Sequence, residues 1–588
     1  MRKLARYLKY HKKEVIIGPF FKLLEAIFEL IVPLVMASII DIGIKEGNKA
    51  FIMQRGGILI LLAFMGLIFA FICQYSAAKA SQGVGTKLRN DLYSHVNSLS
   101  HEEIDKLGTN YITTIITNDV NQIQLSVAML IRLVVRAPFL VIGATVMAMM
   151  LDLKLSLVFI IVGPLVALVM YIIMKKSVPY YNIRQKTLDK ISLITKENLT
   201  GARVIRAFST QKKEKKRFEK TNDEVADIAI RVGQISAFLN PINFIILNFA
   251  IVAIIWFGGG RVNVGSLTQG EVIAFVNYIT QISVALVVVA NLVVIFTKAI
   301  ASAERINGIF DMEASISDKK LPDNLDKAYK TQFDPSKAEY KLSLQNVSFT
   351  YPGAEGNAIE GLNIDIKPGQ TIGIIGGTGS GKSTLINLLP RFYDVTQGEI
   401  RKDGKLISEY PLKELRQSFG FVPQRAVLFY GSIIDNMRWR KEDASIDEIK
   451  EAIEIAQAKD FVEDLSNGYS STVAQGGKNF SGGQRQRLTI ARALVGKPEI
   501  LVLDDSFSAL DYATDAKLRN ALREKCKGMT TIIVSQRAHT IKNADQIIVL
   551  DNGKVAGIGS HNQLLETCRV YQEIYSSQVS DDEEGQDA

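Results

Sequence analysis

Six stretches of this chain are apolar for about the length a helix needs to cross a bilayer, roughly 20 residues. They lie near 15–40, 58–78, 128–150, 155–174, 236–258 and 272–298. A water-soluble fold cannot bury six such helices in one core, so the first half reads as a six-span membrane domain. Hydrophobic residues make up 47% of the 588 and charged residues 22%. Both fractions coexist because the apolar residues are gathered in blocks. A soluble enzyme, a disordered scaffold and a nucleic-acid-coating protein fit poorly, and no nucleic-acid partner is expected despite the net charge of +9.

Charge sets the orientation, since Lys and Arg of short loops stay on the cytoplasmic side. The N-terminus is basic (Arg2, Lys3, Arg6, Lys9, Lys12, Lys13), and the loop after span four holds fifteen Lys and Arg from Lys175 to Arg231. The short loops after spans one, three and five hold only Lys45, Lys49, Arg55, Lys154 and Arg261. Both termini and both long loops are therefore placed in the cytoplasm of a multi-pass plasma-membrane protein. The apolar stretch after the N-terminus is too long for a cleavable signal peptide and lacks a small-residue cleavage site. The long loops keep helical periodicity, so the spans should run on into the cytoplasm and turn near Gly108-Thr109-Asn110-Tyr111 and Leu199-Thr200-Gly201-Ala202. Docking of these loops onto the second half is expected. Three cysteines, Cys73, Cys526 and Cys568, show no paired or metal-like spacing and read as reduced packing residues.

Polar residues inside spans are costly and often functional. Glu25 and Glu29 share one face of span one, and Arg132 and Arg136 one face near the start of span three. Two interhelical ion pairs, or arginines anchored at the interface, are the plainer expectation; glutamates facing a cavity and attracting a cationic substrate are the sharper one. Asn240, Asn243, Asn248, Asn277, Gln281 and Asn291 line a pathway or bond between helices. Pro138, Pro164 and Pro241 are expected to kink their spans.

The composition changes near Tyr340, after a linker at 311–339 rich in Asp, Lys, Pro and Ser. Short β-type runs now alternate with helical patterns, which implies an α/β domain with a largely parallel sheet over 340–578, ahead of an acidic tail at 579–588. Membrane domain 1–310 and α/β domain are thus joined in one chain. The run Thr371–Ile375 leads into Gly376-Gly377-Thr378-Gly379-Ser380-Gly381-Lys382-Ser383-Thr384 and a helix. Strand, glycine loop and helix form a P-loop, whose backbone N–H groups and helix N-terminus cradle phosphates. Lys382 is expected at the β- and γ-phosphates and Ser383 on Mg²⁺. A second apolar strand, Ile500–Leu503, ends in Asp504, the expected Mg²⁺-holding carboxylate.

Between them lies Asn479-Phe480-Ser481-Gly482-Gly483-Gln484-Arg485-Gln486-Arg487. This segment resembles the signature motif of ATP-binding cassette (ABC) proteins. With the P-loop it makes nearly the whole chain resemble a type IV ABC exporter half-transporter. The resemblance implies that Tyr351 stacks on adenine, that Gln424 is the glutamine-loop residue sensing Mg²⁺ and the γ-phosphate, and that Ser508–Asp511 is the D-loop. Glu197–Phe208 resembles the second cytoplasmic loop of these exporters. It further implies a head-to-tail pair of cassettes, in which Ser481, Gly482, Gly483 and Gln484 serve the partner's ATP. ATP and Mg²⁺ are the implied cofactors. The implied partners are a second half-transporter, membrane lipids and a small hydrophobic substrate.

The chain departs from the family at the catalytic positions. Asp505 stands where Glu usually polarises the attacking water, and Gln536 where His usually contacts the γ-phosphate. His539 does not match the switch position. Gln475 replaces a common Glu, and Phe480 the usual Leu. The combination resembles the degenerate-site subunit of a heterodimeric bacterial multidrug exporter. A homodimeric drug or lipid exporter and an ATP-regulated channel or sensor are the alternatives.

Overall fold

The computed structural model describes residues 3–317 and 338–584, with side chains as far as Gln578. Most of the linker expected at 311–339 lies outside the described residues. Internal contacts divide the chain into two units. One is Met1–Asn97 with Gly108–Met312; the other is Ser98–Leu107 with Glu313–Ala588.

The first unit is all helical. Six helices are long and apolar enough to cross a membrane: Leu4–Ile44, Lys49–Ser98, Thr109–Leu151, Leu157–Thr200, Gln211–Asn263 and Gln269–Phe310. Five contain the stretch read from the sequence, and the fourth begins two residues into its stretch, at Leu157. The second is 50 residues long, roughly 75 Å at helical rise against roughly 30 Å of hydrocarbon. The helices therefore run well past any membrane. Spans one, three and six meet through small residues, Ala26, Ala144, Ala148 and Ala274, all fully buried, which lets their backbones approach closely. Fully buried Tyr278 donates its hydroxyl to the Leu30 carbonyl at 2.8 Å. Asp41 ties the end of span one to the start of span six, accepting from Thr268 Oγ1 at 2.6 Å and Gly270 N at 2.8 Å.

Of the two interhelical ion pairs expected, one forms. Glu29 pairs across helices with Arg136 at 2.8 Å, whereas Glu25 pairs within its own helix with Lys22 at 2.7 Å. Glu29, Arg136 and Gln281 border a cavity of about 140 Å³. Asn248 and Asn277 bond to carbonyls of their own helix, Phe244 and Ile273. Among the described residues neither amide bonds another helix; each reaches back one turn of its own instead. Among the prolines, Pro164 sits in a continuous helix. Pro138 and Pro241 instead follow breaks, a π-helical turn at Leu130–Val134 and the junction at Phe238. A proline lacks the N–H that would bond four residues back, so the break falls just before it.

The turns lie partly where the sequence put them. Gly201 closes the helix Leu157–Thr200, and a short helix, Ala202–Ala207, follows with no buried residue. The first reversal starts earlier than expected, at Leu99. Its short helix is His101–Leu107, and Gly108, at φ +74°, ends it. Thr109–Tyr111 are already helical.

The second unit holds twelve strands among its described residues: β1 (Leu342–Phe349), β2 (Ile359–Ile366), β3 (Thr371–Gly376), β4 (Gln397–Lys402), β5 (Lys405–Leu406), β6 (Phe419–Val422), β7 (Gly431–Ser432), β8 (Thr472–Val473), β9 (Ile500–Asp504), β10 (Thr530–Val534), β11 (Gln546–Asp551) and β12 (Lys554–Gly559). The main sheet has the order β12-β11-β3-β10-β9-β6 and is parallel except at β12. β9 and β10 are buried at every residue, as expected of parallel strands covered on both faces. A second sheet, β2-β1-β4-β5, is antiparallel and was not foreseen. Its long strands alternate imperfectly because register shifts interrupt β1 at Leu344 and Val347.

Within this unit Ser98–Leu107 docks on the α/β domain. The His101 ring stacks on Phe392 at 4.5 Å, and Tyr393 donates its hydroxyl to Asp105 at 2.6 Å. Stacking strips part of the imidazole's hydration and holds its pKa below the ordinary value. Arg416 adds to this and Asp105 opposes it. The neutral ring therefore favours the docked state, and its contribution should fade as pH falls through the free-histidine value near 6.5. Amide exchange over Ser98–Leu107, corrected for intrinsic rates, should quicken between pH 7.5 and 5.5. His101→Phe should remove that pH dependence; a trend that survives the substitution would assign it elsewhere.

Candidate functional site

Strands β9 and β10 end level, and the parallel β3 runs two residues further. Val534 of β10 stands level with Ile374 of β3 and with Asp504 of β9. The loops that follow them therefore share the carboxyl edge of the sheet, where ligands of open α/β sheets bind. A cavity of about 370 Å³ opens there. Its walls include Tyr351, Thr378–Thr384, Gln424, Asp504, Asp505 and Gln536. Gly376 ends β3, and neither it nor Gly377 is among the lining residues.

The glycines are where the backbone crowds. A Cβ on Gly376 would sit 2.2 Å from the Leu550 carbonyl oxygen, and Gly381, at φ +96°, would press on Ala358 O at 2.8 Å. The helix starts at Lys382, one residue before the expected Ser383, with Gly381 as its N-cap. Lys382 donates to the carbonyls of Gly376 and Gly377 at 2.8 and 2.7 Å. Burial pulls its pKa down, opposed by Asp504 and Asp505. Burial pushes the Asp504 carboxyl up, with Ser383 opposing through a hydrogen bond at 3.4 Å, Asp505 adding and Lys382 opposing. A lysine and a carboxylate that both resist their charges in a cavity suit a charged ligand that brings compensating groups.

Hydroxyl, amide and carboxylate oxygens from Ser383, Gln424 and Asp504 line one cavity. This all-oxygen set fits Mg²⁺, which takes few protein ligands beside phosphate oxygens. Among the described residues no group of three or more His, Cys, Asp or Glu forms a separate metal site.

Asp505 has φ +45° and donates its N–H to the Val534 carbonyl at 3.0 Å. The β9–β10 junction thus holds its backbone. Gln536 lines the cavity, whereas His539 lies edge-on to Tyr512 at 6.3 Å and is not among the lining residues. Tyr351 bonds Thr384 through its hydroxyl at 3.2 Å and packs edge-on against Phe349 and Tyr393. Tyr393 also reaches Asp105, so one ring touches both the cavity's aromatic wall and the docked segment. Nothing in its local sequence marks Tyr393 out, nor Ala358 and Ser535, which also line the cavity.

Ser481 and Gln484 form a capping box at the start of the helix Gly482–Leu494. Ser481 Oγ accepts from Gln484 N at 3.2 Å, and Gln484 Oε1 accepts from Ser481 N at 2.9 Å. Ser481 and Gly482 are exposed and do not line the cavity. Phe480 is buried against Phe461, so the Leu-to-Phe change stays in the core. In the D-loop, Ser508 donates to the Asp505 carbonyl at 2.8 Å and Asp511 caps the next helix. Gln475 is exposed. Cys73 and Cys568 are buried, Cys526 is half-buried, and all three are free.

Residues 15–286 match the ABC transporter transmembrane region, and residues 359–508 match the ABC transporter family. An uncharacterized ABC transporter ATP-binding protein of Mycobacterium tuberculosis is 35% identical over 98% of this chain and 97% of its own length. An ATP-dependent lipid A-core flippase of Syntrophus aciditrophicus is 31% identical over 88% and 84% respectively. The solved structure of a bacterial Atm1-family ABC exporter with ATP bound shares the fold at a TM-score of 0.81 and 24% identity, over 96% of this chain and 99% of that one. Six membrane helices, a P-loop cavity at a parallel sheet edge and these full-length likenesses lead to one conclusion: the chain belongs to the ABC transporter family, as a multi-pass half-transporter whose cytoplasmic nucleotide-binding domain hydrolyses ATP to drive transport.

Proposed function

We propose that this chain is one half of a heterodimeric exporter of amphipathic compounds, drugs or lipid-like molecules, and that its own P-loop pocket is the slow site of the pair. The observation that carries this reading is one cavity with mixed equipment. Lys382, Ser383 and Asp504 line it together with Asp505 and Gln536, which stand where the family usually has the Glu and His that drive hydrolysis. ATP enters with its adenine on Tyr351 and its phosphates on the loop Gly376–Ser383. Lys382 leaves the carbonyls of Gly376 and Gly377 for the β- and γ-phosphates. Ser383, Gln424 and Asp504 would hold Mg²⁺, whose charge offsets that developing on the phosphates. Asp505 is one methylene short of the usual Glu, and Gln536 donates a hydrogen bond but carries no positive charge. Water is therefore poorly activated in this pocket.

The signature end is built to act elsewhere. Its capping box is complete and its serine and glycine are exposed, so it offers backbone N–H groups to a nucleotide held by a second cassette. ATP then joins the two cassettes, hydrolysis at the competent site separates them, and the cytoplasmic loops, Ser98–Leu107 among them, carry the motion to the spans. Relatives named as lipid A-core flippases support an amphipathic cargo.

The test is the composition and rate of the detergent-purified complex. A one-to-one assembly with a different half-transporter is expected, turning over ATP at least roughly tenfold faster than this chain alone. Substrate should stimulate that ATPase and accumulate in inverted vesicles. Two identical copies transporting at full speed overturn the asymmetry, and nucleotide-dependent conductance without accumulation overturns export.

A further inference from the structure

We propose that Gln578, on the C-terminal helix Arg569–Glu584, is a positioning residue for the loop that carries Gln536. Its side-chain amide spans that loop's backbone. Nε2 donates to the Gln536 carbonyl at 2.7 Å, and Oε1 accepts from the Ala538 N–H at 2.8 Å. One planar group thus satisfies a donor and an acceptor on either side of Arg537. A glutamate could accept but not donate, and an aliphatic side chain could do neither.

The helix is well placed to act as a fixed arm. Tyr571, Tyr575 and Gln578 fall at i, i+4 and i+7, on one face. Tyr571 is fully buried and bonds His561 at 2.8 Å, and Tyr575 stacks on it. The face that anchors in the core therefore ends, two turns later, at the switch loop.

The rest of the loop is held independently. Ser535 N donates to the Ile374 carbonyl at 3.0 Å, and Arg537 N to Ser535 Oγ at 2.9 Å. The Arg537 guanidinium lies 5.8 Å from the Tyr512 ring centre, just after the D-loop. What Gln578 adds is control of the two peptide groups that flank Arg537, the first of which directly follows Gln536. These set where the Gln536 side chain points within the cavity. The C-terminal helix thereby becomes part of the ATPase machinery, and whatever binds or displaces it alters γ-phosphate sensing.

The proposal rests on Gln536 being the γ-phosphate contact, but not on the heterodimer. The test uses the whole chain in lipid nanodiscs, comparing Gln578→Leu, Gln578→Glu and, as a reference, Gln536→Ala. Amide exchange over Ser535–Ile541 should quicken roughly tenfold in both Gln578 variants, and affinity for the non-hydrolysable analogue AMP-PNP should fall roughly three- to tenfold while ADP affinity changes less than about twofold. Gln578→Glu keeps the shape and packing of the helix, so it decides the matter if the leucine variant unfolds that helix. Unchanged exchange, or equal losses for both nucleotides, overturns the clamp. If Gln536→Ala itself leaves the AMP-PNP to ADP ratio unchanged, the reading of Gln536 fails, and the clamp's role in nucleotide sensing fails with it.

Discussion

Asp505→Glu combined with Gln536→His should raise the ATP turnover of this chain by roughly 100-fold, the scale on which a carboxylate misplaced by about 1 Å depresses a reaction. Asp505 sits at a backbone position anchored to Val534, so the longer side chain would advance the carboxylate into the cavity without moving the main chain. Its left-handed φ of +45° suits Asp better than Glu, and the substitution costs a little stability for that reason. Histidine at 536 would restore a group able to carry positive charge beside the γ-phosphate. Each single change should recover less than the pair, because activating the water and holding the phosphate act on one transition state. Steady-state ATPase of the purified chain in nanodiscs reads this directly. A double variant no faster than the native chain would show that the two positions do not limit hydrolysis.

Ser481→Arg should reduce the ATPase of the assembled transporter by roughly 100-fold or more, the range seen when a donor to a developing anion is removed from a preorganised site. The substitution removes a cap acceptor from the helix Gly482–Leu494 and places a bulky cation on an exposed surface. Under the asymmetric reading this surface completes the competent site. Asp505→Asn, in contrast, should change the assembled rate by less than about threefold, because its pocket turns over slowly already. Both variants are to be measured in the same two-chain preparation, for ATPase and for vesicle uptake. Equal and near-complete losses from both would mean two equivalent sites and would remove the case for a slow one.

Some features were legible because their signals are local. The P-loop needs glycines where a Cβ would strike Leu550 or Ala358, and that demand shows in eight consecutive residues. Asp504 was legible because a buried parallel strand reads as an unbroken apolar run. The partners of Glu25 and Glu29 were not, since helical spacing says which residues share a face and not which neighbour faces them. Lys22 took one carboxylate, and one of the two expected interhelical pairs formed. The start of the first cytoplasmic turn was not legible because Ser98–Leu107 keeps helical periodicity, and its contacts with Phe392 and Tyr393, nearly 300 residues away, leave no mark in the local sequence.

The order of residues alone determined that six helices are long and apolar enough to leave water, and that a phosphate-binding loop follows a strand, because hydropathy and glycine spacing act within a few turns of chain. The folded arrangement alone decided that Asp504, Asp505 and Gln536 border one cavity, and that Gln578, 42 residues beyond Gln536, grips its backbone. Those meetings depend on strand register and on which face of the last helix is buried, and both are properties of packing between distant segments.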